Sequence, residues 1–239
     1  MKIAPVLAAS LAFGLVACSS SSNTPEPDFD PGIQGTGEVN PGAAPDVNPD
    51  GVPYPTDNIG TLARSGSKPG NRIQNYKFVG YPNADRTGGL QPISLAQFYD
   101  PSGERYKLIH IQAAGVWCGY CKAETQVVVP LKEQLEAKKV VWLVSLAEGA
   151  APGSASDQKD LDGWITQFKS PFTHWLDPKN GNLGPFYDRS ALPWNASIDA
   201  TTMEILTSGT GAKTAPEAIL KDVDDALELA AKSTLRDQQ

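Results

Sequence analysis

Lysine and arginine are missing between residues 3 and 63, a stretch that holds seven acids. The remaining 176 residues are close to balanced, with 19 bases against 20 acids. The formal charge of −7 therefore belongs to the N-terminal stretch, and the absence of a basic stripe removes nucleic acid as a partner. Histidine is scarce: His110 and His174 stand far apart, without the pair spacing of a zinc site, so no metal or other cofactor is expected. Long apolar runs are missing too. The one near the N-terminus, Ile3 to Ala17 behind Lys2, is too short to cross a bilayer and has the makeup of a secretory signal. Only three cysteines occur, at positions 18, 118 and 121, and two of them are three residues apart.

The end of the apolar run, Leu15-Val16-Ala17-Cys18, resembles the bacterial lipobox. That resemblance implies cleavage after residue 17 and a lipidated Cys18 holding the protein to a bilayer, since several acyl chains anchor stably where one binds marginally. Ser19 after the cysteine favours the outer membrane, with the protein facing the periplasm. From Ser19 to about Gly60 the chain is rich in Ser, Pro, Gly, Asn and Asp. This predicts a disordered tether over residues 18–63, reaching roughly 35 Å if flexible. The folded domain is then expected over residues 64–239.

Within that domain, short apolar groups between Ile73 and Phe98 suggest a strand or hairpin extension. Tyr106 to Ala113 reads as a strand leading into Trp117-Cys118-Gly119-Tyr120-Cys121. A helical pattern follows, which Pro130 should interrupt. Val140 to Leu146 is apolar on both parities, as a strand covered on both faces should be. Leu161, Trp164, Ile165 and Phe168 mark a helix face. Ala196–Asp199 and Met203–Thr207 read as an antiparallel edge. A closing helix is predicted with a capping box from Thr214 to Glu217. Trp142, Trp164 and Trp175 are expected in the core. The order β-α-β-α-β-β-α predicts an α/β sandwich with a mixed central sheet flanked by helices.

Cys118 and Cys121 sit where a strand gives way to a helix. Free N–H groups and the helix dipole there stabilise a thiolate, which points to Cys118 as nucleophile and Cys121, one turn on, as the resolving thiol. The stretch W-C-G-Y-C-K-A-E resembles the active site of thioredoxin-fold proteins, in particular the membrane-tethered TlpA/ResA-like thiol:disulfide oxidoreductases. The resemblance runs over roughly residues 70–232 through Phe172–Asp177, Leu183–Tyr187, Leu192-Pro193, Ile198-Asp199 and Gly209. It implies a thioredoxin-like fold, protein disulfide or dithiol substrates and a membrane electron-donor protein. By the same resemblance Pro193, preceded by Leu192, matches the proline that faces the disulfide. Trp117, Gly119 and Tyr120 join it on the substrate side, and Glu124 matches an acid that mediates proton transfer. Gln112 stands where thioredoxin has a buried Asp, and an amide cannot act as a base. The pair Gly119-Tyr120 resembles bacterial disulfide isomerases, which leaves the direction of the reaction open; a reductant is favoured. Rival readings are an isomerase or oxidase and a copper metallochaperone, the latter disfavoured because its usual cysteine spacing is Cys-x-x-x-Cys. A Thr-x-x-Cys peroxidatic motif is missing at both redox cysteines.

Overall fold

The computed structural model describes residues 39–233 and Leu235, so the signal segment and Cys18 lie outside the described residues. Seven strands form one sheet: β1 (Lys77–Tyr81), β2 (Gln91–Ser94), β3 (Leu108–Gly115), β4 (Val140–Glu148), β5 (Thr173–Leu176), β6 (Trp194–Asp199) and β7 (Ile205–Thr210). Their spatial order is β2-β1-β5-β4-β3-β6-β7. Strands β3, β4 and β5 run parallel in the centre, while the β1–β2 hairpin and the β6–β7 pair close the two sides in antiparallel fashion. The mixed sheet and the hairpin extension follow the sequence expectation.

Four helices, α1 (Gly119–Val128), α2 (Lys132–Ala137), α3 (Gln158–Phe168) and α4 (Pro216–Ala231), cover one face. The alternation along β3 explains why. Leu108 packs with Val128, Leu135, Ile219 and Val223, and Ala114 packs with Leu161, Trp164 and Ile165. The intervening residues Ile109, Ile111 and Ala113 point the opposite way. Pro130 divides α1 from α2 through a 3-10 turn, Val129–Leu131, as its missing N–H requires.

The opposite face carries no α-helix among the described residues. It is covered by Tyr54, Ile73, the 3-10 segment Leu95–Phe98, Tyr99 and Leu183. This corrects the expectation of a tether up to residue 63. Ala44, Asn48 and Tyr54 are buried, the Tyr54 hydroxyl donates to the Ile73 carbonyl at 2.6 Å, and Asn48 Nδ2 donates to the Tyr99 carbonyl at 3.1 Å. The reason is local. Asn48 Oδ1 accepts from the N–H groups of Asp50 and Val52, so a polar, Pro-rich stretch folds on its own side chain into a turn. A few apolar anchors then suffice because the sheet supplies the rest of the core.

Two boundaries also shift. The last strand starts at Ile205 rather than Met203, because Met203 takes a left-handed backbone (φ 61°) that closes the turn from β6. The N-cap of α4 is Ala215, with no side-chain cap, so the Thr214–Glu217 capping box does not form; Glu217 lies in the first turn. No helix among the described residues is long and apolar enough to cross a membrane.

Candidate active site

Strand register brings the site together. Ala113 of β3 pairs with Trp194 of β6, which sets Pro193, the residue before β6, level with the C-terminal end of β3. On the other side a register shift after Ala114 matches Gly115 with Glu148 at the end of β4. The turn from β3 into α1 therefore lies between the Leu192-Pro193 loop and the end of β4.

Cys118 is the N-cap of α1, with extended backbone (φ −77°, ψ 109°), and its sulfur accepts from the Cys121 N–H at 3.1 Å. Cys118 and Cys121 form a disulfide with their Cα atoms 5.3 Å apart. Both are buried, against Leu146, Leu161 and Trp164, with Leu192 at the margin. The Leu192–Pro193 peptide is cis, and the Leu192 carbonyl oxygen lies 3.5 Å from Cys118 Sγ. Gly119 and Tyr120 face solvent, Tyr120 with 73% of its surface exposed. Trp117 is half-buried, and its indole N–H donates to Glu148 Oε2 at 2.6 Å. The residues expected around the disulfide, Trp117, Gly119, Tyr120, Leu192 and Pro193, are thus gathered at one end of the sheet.

Glu124 lies deeper. It is fully buried and accepts from Gln112 Nε2 at 2.9 Å, from Asn195 Nδ2 at 3.0 and 3.1 Å, and from the Lys213 backbone N–H at 2.8 Å. Burial pushes its carboxyl above the usual range, while the donors from Lys213, Asn195 and Gln112 pull it back. Gln112 also takes the Thr125 hydroxyl on its oxygen at 3.4 Å, so it links β3 to α1 as a hydrogen-bonding spacer.

Sequence reasoning missed Glu148, Asn195 and Lys213. None lies in a motif, and strand register or turn geometry alone brings each to the site. His110, weighed in the sequence as a metal ligand, instead has its two ring nitrogens 3.1 Å from Ser197 Oγ and Asn195 Oδ1. His174 donates from Nδ1 to the Phe172 carbonyl at 2.8 Å.

No protein-family model and no curated protein matches the chain. Solved structures do. The crystal structure of a candidate thiol:disulfide interchange protein, DsbE, from Chlorobium tepidum is 17% identical, with 66% of this chain and 97% of that chain covered at a TM-score of 0.50. Enterococcus faecalis AhpC is 12% identical over 68% and 94% of the two chains, at 0.52. A hypothetical protein of Sinorhizobium meliloti is 13% identical over 71% and 88%, at 0.51. At these identities the likeness is one of architecture: the chain has a thioredoxin-like α/β fold.

Proposed function

We propose that this protein is a thiol:disulfide oxidoreductase working outside the cytoplasm, reducing or exchanging protein disulfides through Cys118 and Cys121. The observation that supports this most directly is the position of Cys118. It caps α1, receives the Cys121 N–H on its sulfur, and lies 3.5 Å from the Leu192 carbonyl. A thiolate at that position is stabilised by the same N–H and by the helix dipole.

In the reducing direction, the Cys118 thiolate attacks one sulfur of a substrate disulfide, and the other sulfur leaves as a thiolate that takes up a proton. Cys121, deprotonated, then attacks Cys118 Sγ. The Cys118–Cys121 disulfide forms, the mixed disulfide breaks, and the second substrate sulfur leaves. Two electrons pass to the substrate, and a membrane electron-donor protein returns them. Glu124, one turn on from Cys121, is assigned as the acceptor of the Cys121 proton, because Gln112 has no basic atom to offer. Trp117, Tyr120 and the Leu192-Pro193 loop form the surface that meets substrate. Cys18, when lipidated, would hold the protein to the outer membrane facing the periplasm; fatty-acid labelling that persists in Cys18→Ala would overturn that part.

The test is turnover of a protein disulfide by the reduced full-length protein. Cys118→Ala is expected to abolish it and Cys121→Ala to trap mixed disulfides; full activity in Cys118→Ala would sink the scheme. An equilibrium potential at or below about −250 mV supports a reductant, and one near about −120 to −180 mV an oxidase or isomerase.

A further inference from the structure

Asn195 contacts both oxygens of the buried Glu124 carboxylate, at 3.1 Å from Oε1 and 3.0 Å from Oε2. Its amide is oriented from two ends. The nitrogen also faces the Gly211 carbonyl at 3.2 Å, so it must be the NH2 group. The oxygen then meets His110 Nε2 at 3.1 Å, which requires the proton on that nitrogen. His110 Nδ1 is left as an acceptor for the Ser197 hydroxyl at 3.1 Å. One run of donors therefore leads from Ser197 through His110 and Asn195 to Glu124, and it closes with a neutral imidazole. Burial supplies that condition, since it depresses His110 to about 4. The ring is further held by stacking on Trp142, with centroids 3.8 Å apart.

We propose that Asn195, oriented by His110, is a positioning residue that keeps the Glu124 carboxylate charged and fixed on α1, ready to accept the Cys121 proton. The proposal rests on the reading of Cys118 and Cys121 as a redox pair. Its physical basis is the cost of a charge removed from water, which a carboxylate offsets with N–H donors. The surroundings contain few other charges. Gln112 on β3 and His110 are neutral, Cys121 lies one turn back on α1, and the Lys213 ammonium, which also favours the charged carboxylate, is shared with Asp222 of α4 at 2.5 Å. Asn195 and Lys213 also line a polar cavity of about 170 Å³ with His110, Ser197 and Asp222. They thus stand between Glu124 and the space through which water can approach.

The experiment is a ¹³C-NMR titration of the Glu124 carboxyl in the full-length protein. It is paired with the pH profile of mixed-disulfide release by Cys121. Asn195→Ala is expected to raise the Glu124 pKa by about one unit, a tenfold loss of the ionised form below it, and to move the release profile by the same amount. His110→Leu should shift both in the same direction by less, and His110→Gln, which retains an N–H donor, should restore them. A merely structural role would lower the melting temperature and leave titration and profile unchanged; that result overturns the proposal. Should Asn195→Ala fail to fold, Asn195→Ser and His110→Leu carry the same test, and an unshifted Glu124 in both is equally fatal. The titration reads Glu124 whether or not disulfides are exchanged. A shifted carboxyl in a protein whose wild type has no thiol activity would therefore refute the redox reading, not the Asn195–Glu124 coupling.

Discussion

The indole N–H of Trp117 donates to the Glu148 carboxylate at 2.6 Å, joining the residue before Cys118 to the end of β4. Backbone bonds run alongside, from the Val116 N–H to the Glu148 carbonyl at 2.9 Å and from the Trp117 N–H to the Gly149 carbonyl at 3.2 Å. A Cβ placed on Gly115 would stand 2.9 Å from the indole nitrogen, 3.2 Å from Leu192 Cδ1 and 3.3 Å from Glu148 Cβ. Three separate stretches of chain therefore meet over one glycine beside the disulfide, and close packing there leaves no room for a side chain.

The Trp117–Glu148 bond is charge-assisted and its acceptor is buried, so its loss should be measurable. Glu148→Leu is expected to destabilise the fold by about 1.5–3 kcal/mol in urea denaturation and to shift the Trp117 indole N–H resonance. Glu148→Gln, which keeps an acceptor, should cost roughly half as much. An indole resonance unchanged in Glu148→Leu would show that the carboxylate does not hold the ring.

Residues 39–63 help cover a sheet face that carries no α-helix among the described residues, so they belong to the domain's stability. A chain beginning at Val39 keeps every described residue and supplies the reference midpoint in urea. One beginning at Arg64 loses Ala44 and Tyr54 from the core and is expected to be less stable by about 3 kcal/mol or more. Equal midpoints for the two truncations would remove this segment from the fold's energetics.

His110 and His174 are both depressed by burial from 6.5 to about 4. Between those values the unfolded chain binds protons that the folded one refuses, so both rings make stability fall as pH drops from 6.5 towards 4. Glu124 and Asp177 act in the opposite direction: burial raises both, so the folded state protonates first and gains stability as pH falls. Replacing His174, whose Nε2 has no hydrogen-bond partner, isolates one ring. His174→Leu should flatten the stability–pH slope in this window by up to one proton, about 1.4 kcal/mol per pH unit. An unaltered slope in urea titrations between pH 4.5 and 6.5 would refute the assignment.

The central elements were legible because their signals are local. Val140 to Leu146 is apolar on both parities and is covered on both faces; Leu161, Trp164, Ile165 and Phe168 recur at helical spacing and are buried. The segment around Tyr54 was misread because composition averages over a window. A single buried tyrosine and an Asn48 turn disappear in that average, although the sheet gives them a surface to cover.

By itself the chain determined that Cys118 and Cys121 lie at the passage from a strand into a helix, because hydrophobic pattern and cysteine spacing are properties of neighbours in sequence. Only the tertiary structure decided what surrounds them. Glu148 reaches Trp117 through a register shift between β3 and β4, and Asn195 reaches Glu124 because β6 runs antiparallel to β3. Contacts across 31 and 71 residues are selected by strand pairing and burial, and no local pattern encodes them.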